Sequence, residues 1–216
     1  GGEPSVPAVP DWRTLGADEG AYYDTTVVID AAQVAPMVTW GISPQQAVSL
    51  DGSVPAFDAV AARDPRELYG RALAYMDVAP GTSLVGLPIG AAFIGSCTNS
   101  RLSDLRRAAA ILKGRKVAAS VKAICVPGST RVKAAAEAEG LDKIFTDAGF
   151  EWRESGCSMC FFSGGESLGN RQRVISSTNR NFESRQGPET RSHLASPETV
   201  AASAIAGMIA DPRTFA

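Results

Sequence analysis

The chain has 216 residues, 44% of them hydrophobic, with 21 Lys and Arg against 23 Asp and Glu, one His and four Cys. That size suffices for one sizeable core, and a formal net charge of −2 leaves no footprint for nucleic acid or an anionic membrane. No apolar run reaches the ~18 residues of a membrane-spanning helix, and four cysteines are too sparse for a disulfide scaffold, so a reducing, cytoplasmic setting is expected.

Residues 1–11 carry Pro4, Pro7 and Pro10 and read as an extended N-terminal segment ahead of a single domain over 12–216. Asp24–Ala31 is a β-branched run and predicts a strand. Residues 41–57 are loop-rich. Arg66–Met76 predicts a helix, with Leu68, Ala72 and Tyr75 on one face, broken by Ala79-Pro80-Gly81-Thr82. From residue 90 a clear alternation begins. Ala91–Gly95 reads as a buried strand and Ser103–Lys113 as a helix, with Ser103 at its N-cap and Gly114 past its end. Ala118–Val126 follows as a strand, Thr130–Glu139 as a helix stopped by Gly140, Lys143–Ala148 as a short helical piece and Phe150–Arg153 as a third strand. Pro197–Ile209 predicts a terminal helix, capped by Ser196 with Pro197 at its first position. This order predicts an α/β fold, three layers α/β/α around a mainly parallel sheet.

Ligands of such sheets bind at the carboxyl ends of the strands. Cys97 follows the first strand of the alternation, Pro127-Gly128-Ser129 the second, and Cys157 and Cys160 the third. One lone thiol and a C-x-x-C pair suit an iron–sulfur cluster or another metal. A redox dithiol, half of a zinc site and plain structural thiols are the alternatives. Cys125 sits in an apolar run and reads as a core residue. Arg180 and Arg185 lie among Asn and Ser, where a solvated basic loop competes with a grip on carboxylates. Gly95, Gly128 and Gly156 read as turn residues, and His193 as a satisfied structural histidine.

The blocks Phe93-Ile94-Gly95-Ser96-Cys97-Thr98-Asn99-Ser100-Arg101, Gly156-Cys157-Ser158-Met159-Cys160 and Ser177-Thr178-Asn179-Arg180-Asn181-Phe182 resemble the aconitase superfamily. Val38-Thr39-Trp40-Gly41, Val126-Pro127-Gly128-Ser129 and Gly149-Phe150-Glu151-Trp152-Arg153 agree, and point to its isopropylmalate branch. The resemblance implies an aconitase-type iron–sulfur domain from residue 12 on, corresponding to the C-terminal half of a longer subunit and too little for turnover alone. It implies a [4Fe–4S] cluster held by Cys97, Cys157 and Cys160, and a hydro-lyase that interconverts 2- and 3-isopropylmalate by dehydration and rehydration in leucine biosynthesis. Arg180 and Arg185 then bind carboxylates of a small di- or tricarboxylate, and Asn179 takes a catalytic position near the open iron. A separate small subunit is the implied partner, bringing a swivelling domain with a catalytic serine. The segment Phe161-Phe162-Ser163-Gly164-Gly165 departs from the branch's pattern. Homoaconitase, another aconitase-type hydratase and an inactive cluster-free domain are the alternatives.

Overall fold

The computed structural model describes residues 16–62, 64–162 and 165–215. The extended segment expected over 1–11 lies outside these residues. The chain divides into two compact units, one through Val34 and one from Ala35 onward.

Within the first unit, residues 16–34 form a turn in which Ala21 donates to the Asp18 carbonyl, and a 3-10 turn, Ala31–Gln33. The Asp30 carboxylate caps that turn by accepting from Ala32 N at 3.0 Å. The strand expected over Asp24–Ala31 does not form: the residues from Thr25 to Asp30 carry no ladder hydrogen bonds. Branching at Cβ favours extended backbone, but a strand also needs a partner edge.

The second unit opens with a short antiparallel hairpin, β1 (Met37–Thr39) and β2 (Ala47–Ser49), followed by the helices α1 (Phe57–Val60) and α2 (Arg66–Met76). Then come β3 (Ala91–Ile94), α3 (Leu102–Leu112), β4 (Lys122–Cys125), α4 (Thr130–Ala138), α5 (Leu141–Ala148), β5 (Glu151–Trp152), β6 (Arg173–Ser176), β7 (Arg191–Leu194) and α6 (Pro197–Ala206). The five long-range strands form one parallel sheet in the order β5-β4-β3-β6-β7. The chain therefore builds outward from β3 to β5, then returns to the other side of β3. The α/β fold with a parallel sheet is the one the alternation predicts.

Residue choice explains the layers. The central strand β3 is apolar throughout because both its faces are covered. Its Ala92 and Ile94, with Ala123, Cys125 and Ile175, join the core cluster that includes α3 and α6. Small residues on α6, Val200, Ala201, Ala202 and Ala204, are all fully buried and let that helix lie close to the sheet. Phe145 of α5 is fully buried, worth about 1.5–3 kcal/mol relative to exposure. The other face of the sheet, Ala91, Phe93, Ile124, Val126 and Val174, packs against Met159, Cys160 and Leu168.

Most expected boundaries hold to within a few residues. Ser196 and Ser129 cap α6 and α4 through their hydroxyls. The cap of α3 differs: the helix starts one residue earlier, and Asp104 in its first turn accepts from Arg101 N at 3.0 Å. The strand expected over Ala118–Val126 shortens to β4, because residues 119–120 form a turn before it. β6, β7 and the β1–β2 hairpin were not expected at all. Among the described residues, no helix is long and apolar enough to cross a membrane.

Candidate iron–sulfur and carboxylate site

The strand order places a topological switch between β3 and β6, where adjacent parallel strands leave in opposite directions around the sheet. Such a crevice is where ligands of open α/β sheets bind. Cys97 lies just past β3, and Asn179 and Arg180 just past β6. Cys157 and Cys160 come from the loop after β5 and reach the same edge.

Backbone contacts fix the Cys97 turn. Ser177 Oγ accepts from Gly95 N at 3.0 Å, and its proton is shared between the carbonyls of Gly95 and Asn99, each at 3.1 Å. One buried hydroxyl thus ties the turn to the end of β6. On the other side, Gly128 N donates to Ser100 O at 2.9 Å. A Cβ on Gly128 would stand 2.9 Å from Ser100 O and 3.2 Å from Ser96 O. Close backbone approach is therefore what requires glycine there. The turn role expected from the sequence becomes a contact role.

Cys157 and Cys160 bracket a single 3-10 turn, Ser158–Cys160, closed by Cys160 N donating to Cys157 O at 2.9 Å. Cys157 and Cys97 are exposed and Cys160 is buried; all are free thiols. A hydrogen bond with Cys160 pushes the Cys157 thiol above its ordinary range, with Cys97 adding to the effect and the Arg185 guanidinium opposing it. The three sulfurs and Arg185 therefore share one electrostatic neighbourhood. Three thiolates held together repel, and a cationic centre relieves that repulsion. Soft thiolate donors of this number suit a cluster better than a lone hard cation. Among the described residues, no three His, Cys, Asp or Glu side chains converge as ligands of a single metal ion.

The flanks of this loop are clipped by charge. Arg153 donates to Glu166 at 2.6 Å and also pairs with Glu151, and Lys122 pairs with Glu166. The Arg153 hydrogen bond and then the Lys122 one hold the Glu166 carboxyl down at about 2. Cys125, by contrast, is fully buried in the helix-side core, and burial pushes its thiol well up. It packs and does not face the site.

The segment after β6 carries the cationic groups. Arg185 lies over two rings, 5.3 Å from the Phe161 centroid and 5.0 Å from that of Phe182. Its Nε is buried without a hydrogen-bond partner. Arg180 lines a cavity of 410 Å³ with Ile42, Ser43, Pro44, Asn179, Asn181 and Phe182. Among the described residues, neither arginine is paired with a carboxylate, whereas Arg71, Arg106, Arg153 and Arg213 are. Asn179 is exposed at the cavity's rim. Asn181 is buried and donates to Gly41 O at 2.6 Å and Thr39 Oγ1 at 3.2 Å, which joins the cavity's two walls.

Two residues outside the expected set organise this edge. Gln186, fully buried, donates to Met159 O at 3.0 Å and Ser176 Oγ at 3.3 Å, and accepts from Ser192 Oγ at 2.9 Å. Backbone bonds run beside it, from Phe162 N to Arg185 O at 2.9 Å and from Leu168 N to Gln186 O at 3.0 Å. The thiol loop and the arginine loop are thus stitched together. Ser177 is the other. A lone Gln or Ser has no spacing signal, so only the fold reveals them. His193 is structural: Nδ1 donates to Thr39 O at 2.6 Å, and Nε2 accepts from Arg173 at 2.8 Å. Burial, then Arg173, lower its pKa to about 3.

A profile of the aconitase family (aconitate hydratase) matches residues 3–207. The chain is similar to the 3-isopropylmalate dehydratase large subunit of Cupriavidus necator, with 64% identity over 207 residues, covering 96% of this chain and 78% of that protein. It is similar also to the 3-isopropylmalate dehydratase large subunit of Roseiflexus castenholzii (strain DSM 13941 / HLO8), with 50% identity over 208 residues. That match covers 96% of this chain and 44% of the relative, so the chain spans less than half of the latter's length.

Proposed function

Since the chain belongs to the aconitase family, we propose that it is the thiol-bearing part of a 3-isopropylmalate dehydratase large subunit. In this reading the assembled enzyme interconverts 2- and 3-isopropylmalate by loss and return of water, in the cytoplasm, on the route to leucine. The observation that carries the reading is topological: Cys97, the pair Cys157 and Cys160, and the carboxylate-free Arg185 all lie in segments that follow the carboxyl ends of parallel strands, β3, β5 and β6.

Cys97, Cys157 and Cys160 would hold a [4Fe–4S] cluster. When bound, such a cluster supplies a Lewis-acidic iron that makes a substrate hydroxyl a better leaving group. The chain's own residues do the rest of the local work. Arg185 grips one substrate carboxylate bidentately, with Phe161 and Phe182 flanking its guanidinium. Arg180, at the cavity, binds the other carboxylate. Asn179 offers an amide to the reacting hydroxyl. A small subunit is the partner expected to bring the proton-transferring serine, so this chain by itself should not turn over substrate.

Anaerobic reconstitution with ferrous iron and sulfide tests the reading. A broad absorbance at about 400 nm should appear, and Cys97→Ser, Cys157→Ser and Cys160→Ser should each abolish it. Cys125→Ser should retain it. Equal loss on changing Cys125 would overturn the ligand assignment. Activity is tested in the complete large subunit with its small subunit, where turnover of homoaconitate in preference to 2-isopropylmalate would refute the substrate.

A further inference from the structure

Arg185 leaves a turn with an unusual backbone. Ser184 and Glu189, neither of them glycine, adopt φ of 61° and 54°, and Gly187 lies at 140°. Left-handed conformations at side-chain-bearing residues are sparsely populated and persist only where surrounding contacts over-determine them. The contacts that do so here converge on one side chain more than a hundred positions away in sequence.

Tyr75 sits in the last turn of α2. Its hydroxyl accepts from Ser184 N at 2.7 Å and donates to Thr190 O at 2.9 Å, so a single Oη ties together the two ends of the turn. Its own carbonyl accepts from Arg191 Nε at 3.0 Å, which anchors Tyr75 to the start of β7. Inside the turn, Ser184 Oγ accepts from Glu189 N at 3.1 Å, and Thr190 Oγ1 donates to Gly187 O at 2.9 Å. These inner bonds shape the turn but do not place it against the sheet. Beyond Arg185 the turn is tied to the thiol loop and to β6, by Phe162 N donating to Arg185 O at 2.9 Å and by the Gln186 side chain. Before Arg185 the other external tether is the pair from Arg71 to Glu183, at 2.7 Å; Arg71 is 64% exposed there. Exposed pairs contribute little and are screened by salt. The hydroxyl of Tyr75 is thus the contact that fixes Ser184, on the side of Arg185 away from the thiol-loop bonds, so that Arg185 is held from both sides.

We infer that Tyr75 is a positioning residue for Arg185, holding its guanidinium at the place and angle where it meets a substrate carboxylate. The inference rests on the carboxylate-binding role proposed for Arg185. Sequence reading assigns Tyr75 to the apolar face of α2, and its ring does lie half-buried there. The ring packs; the oxygen positions. Tyr75→Phe separates the two, because it keeps the ring and removes only the oxygen.

The test uses Tyr75→Phe in the complete large subunit with its small subunit. An arginine that binds carboxylate equally in ground and transition states acts on KM, and small misplacement of a binding group can cost up to roughly 100-fold. KM for 2-isopropylmalate should rise about 10–100-fold with kcat little changed and the cluster absorbance intact. Hydrogen exchange at Ser184 N–H should quicken about tenfold or more, and phenylglyoxal should modify Arg185 at a changed rate. Lower kcat with unchanged KM, or loss of the cluster, would mean that Tyr75 is only structural and would overturn the inference. Unprotected exchange at Ser184 in the unsubstituted protein would overturn it with no variant needed. If the unsubstituted enzyme does not act on 2-isopropylmalate, the functional reading fails alone, and exchange at Ser184 with Arg185 modification still decides the role of Tyr75.

Discussion

Gly128→Ala is a sharp probe of how the site is assembled. The new methyl carbon would meet Ser100 O at 2.9 Å and Ser96 O at 3.2 Å, both backbone atoms of the turn that carries Cys97. Backbone cannot swing aside as a flexible side chain can, so the turn must shift or the strand end must bend. Gly128 has no left-handed φ, so the cost is contact and not conformation. Gly156→Ala supplies the reference. It precedes Cys157, has no positive φ, and a Cβ there meets nothing within 4 Å. Both substitutions reduce the freedom of the unfolded chain by the same amount, a gain of about 0.4–1 kcal/mol. Their difference therefore isolates the clash, at about 1–3 kcal/mol for overpacking of a filled site. In a chain of this size that separates their melting temperatures by roughly 2–12 °C. Urea unfolding followed by circular dichroism measures the same difference as a shift in midpoint at constant slope. Gly156→Ala should be neutral or slightly stabilising. Equal stabilities for the two variants would refute the close-approach argument.

Other consequences are as direct. His193 is neutral in the folded chain down to about pH 3, whereas unfolded His takes up a proton near 6.5, so stability should fall as pH drops through that window, by up to about 1.4 kcal/mol per unit. Between pH 6.5 and 5 that slope should vanish in His193→Gln, and an unchanged slope would count against the neutral buried ring. Glu166→Gln removes the carboxylate partner of Arg153 and Lys122, but Glu166 is 41% exposed; the loss should stay under about 1 kcal/mol and shrink in high salt. Faster alkylation of Cys157 in the same variant would report the loosened loop, and an unchanged rate would deny the clip. In the assembled enzyme, Arg185→Lys should lower kcat/KM about 10–150-fold, the equivalent of 1.5–3 kcal/mol for a charge-assisted hydrogen bond; kinetics within twofold of the parent would return Arg185 to the solvated-loop reading.

The parts of the fold legible in the sequence are those with a period or a breaker. Ala91–Ile94 is a continuous apolar run and forms the central strand; Gly140 and the Ser129 and Ser196 caps mark helix ends where chain chemistry demands them. β6 and β7 escaped because Arg173-Val-Ile-Ser and Arg191-Ser-His-Leu are short and half polar. Their polar members are buried yet satisfied, His193 by Thr39 and Arg173, Ser192 by Gln186. Such compensation comes from residues distant in sequence and leaves no local pattern. Missing β6 also hid the switch point, since only its place beside β3 sets the segment that follows β6 beside the one that follows β3. The three thiols were legible because their chemistry is rare and their spacing is short. The supports around them, Ser177, Gln186 and Tyr75, are common residues whose meaning lies wholly in their partners. Asp24–Ala31 shows the converse, a strand-like composition without a partner edge among the residues described with it.

The loop that carries Cys160 is also a wall of the core. Met159, Cys160 and Leu168 cover Phe93, Ile124, Val126 and Val174 on the face of the sheet opposite the helix-side core. Oxidation of Cys160 beyond the sulfenic acid would place an anionic group among those side chains, with no route back for the sulfonic form. The loop would then lift from an apolar surface of the kind that associates between molecules. Chemical injury at this thiol would then damage the packing of the sheet face as well as the site, since one side chain serves both.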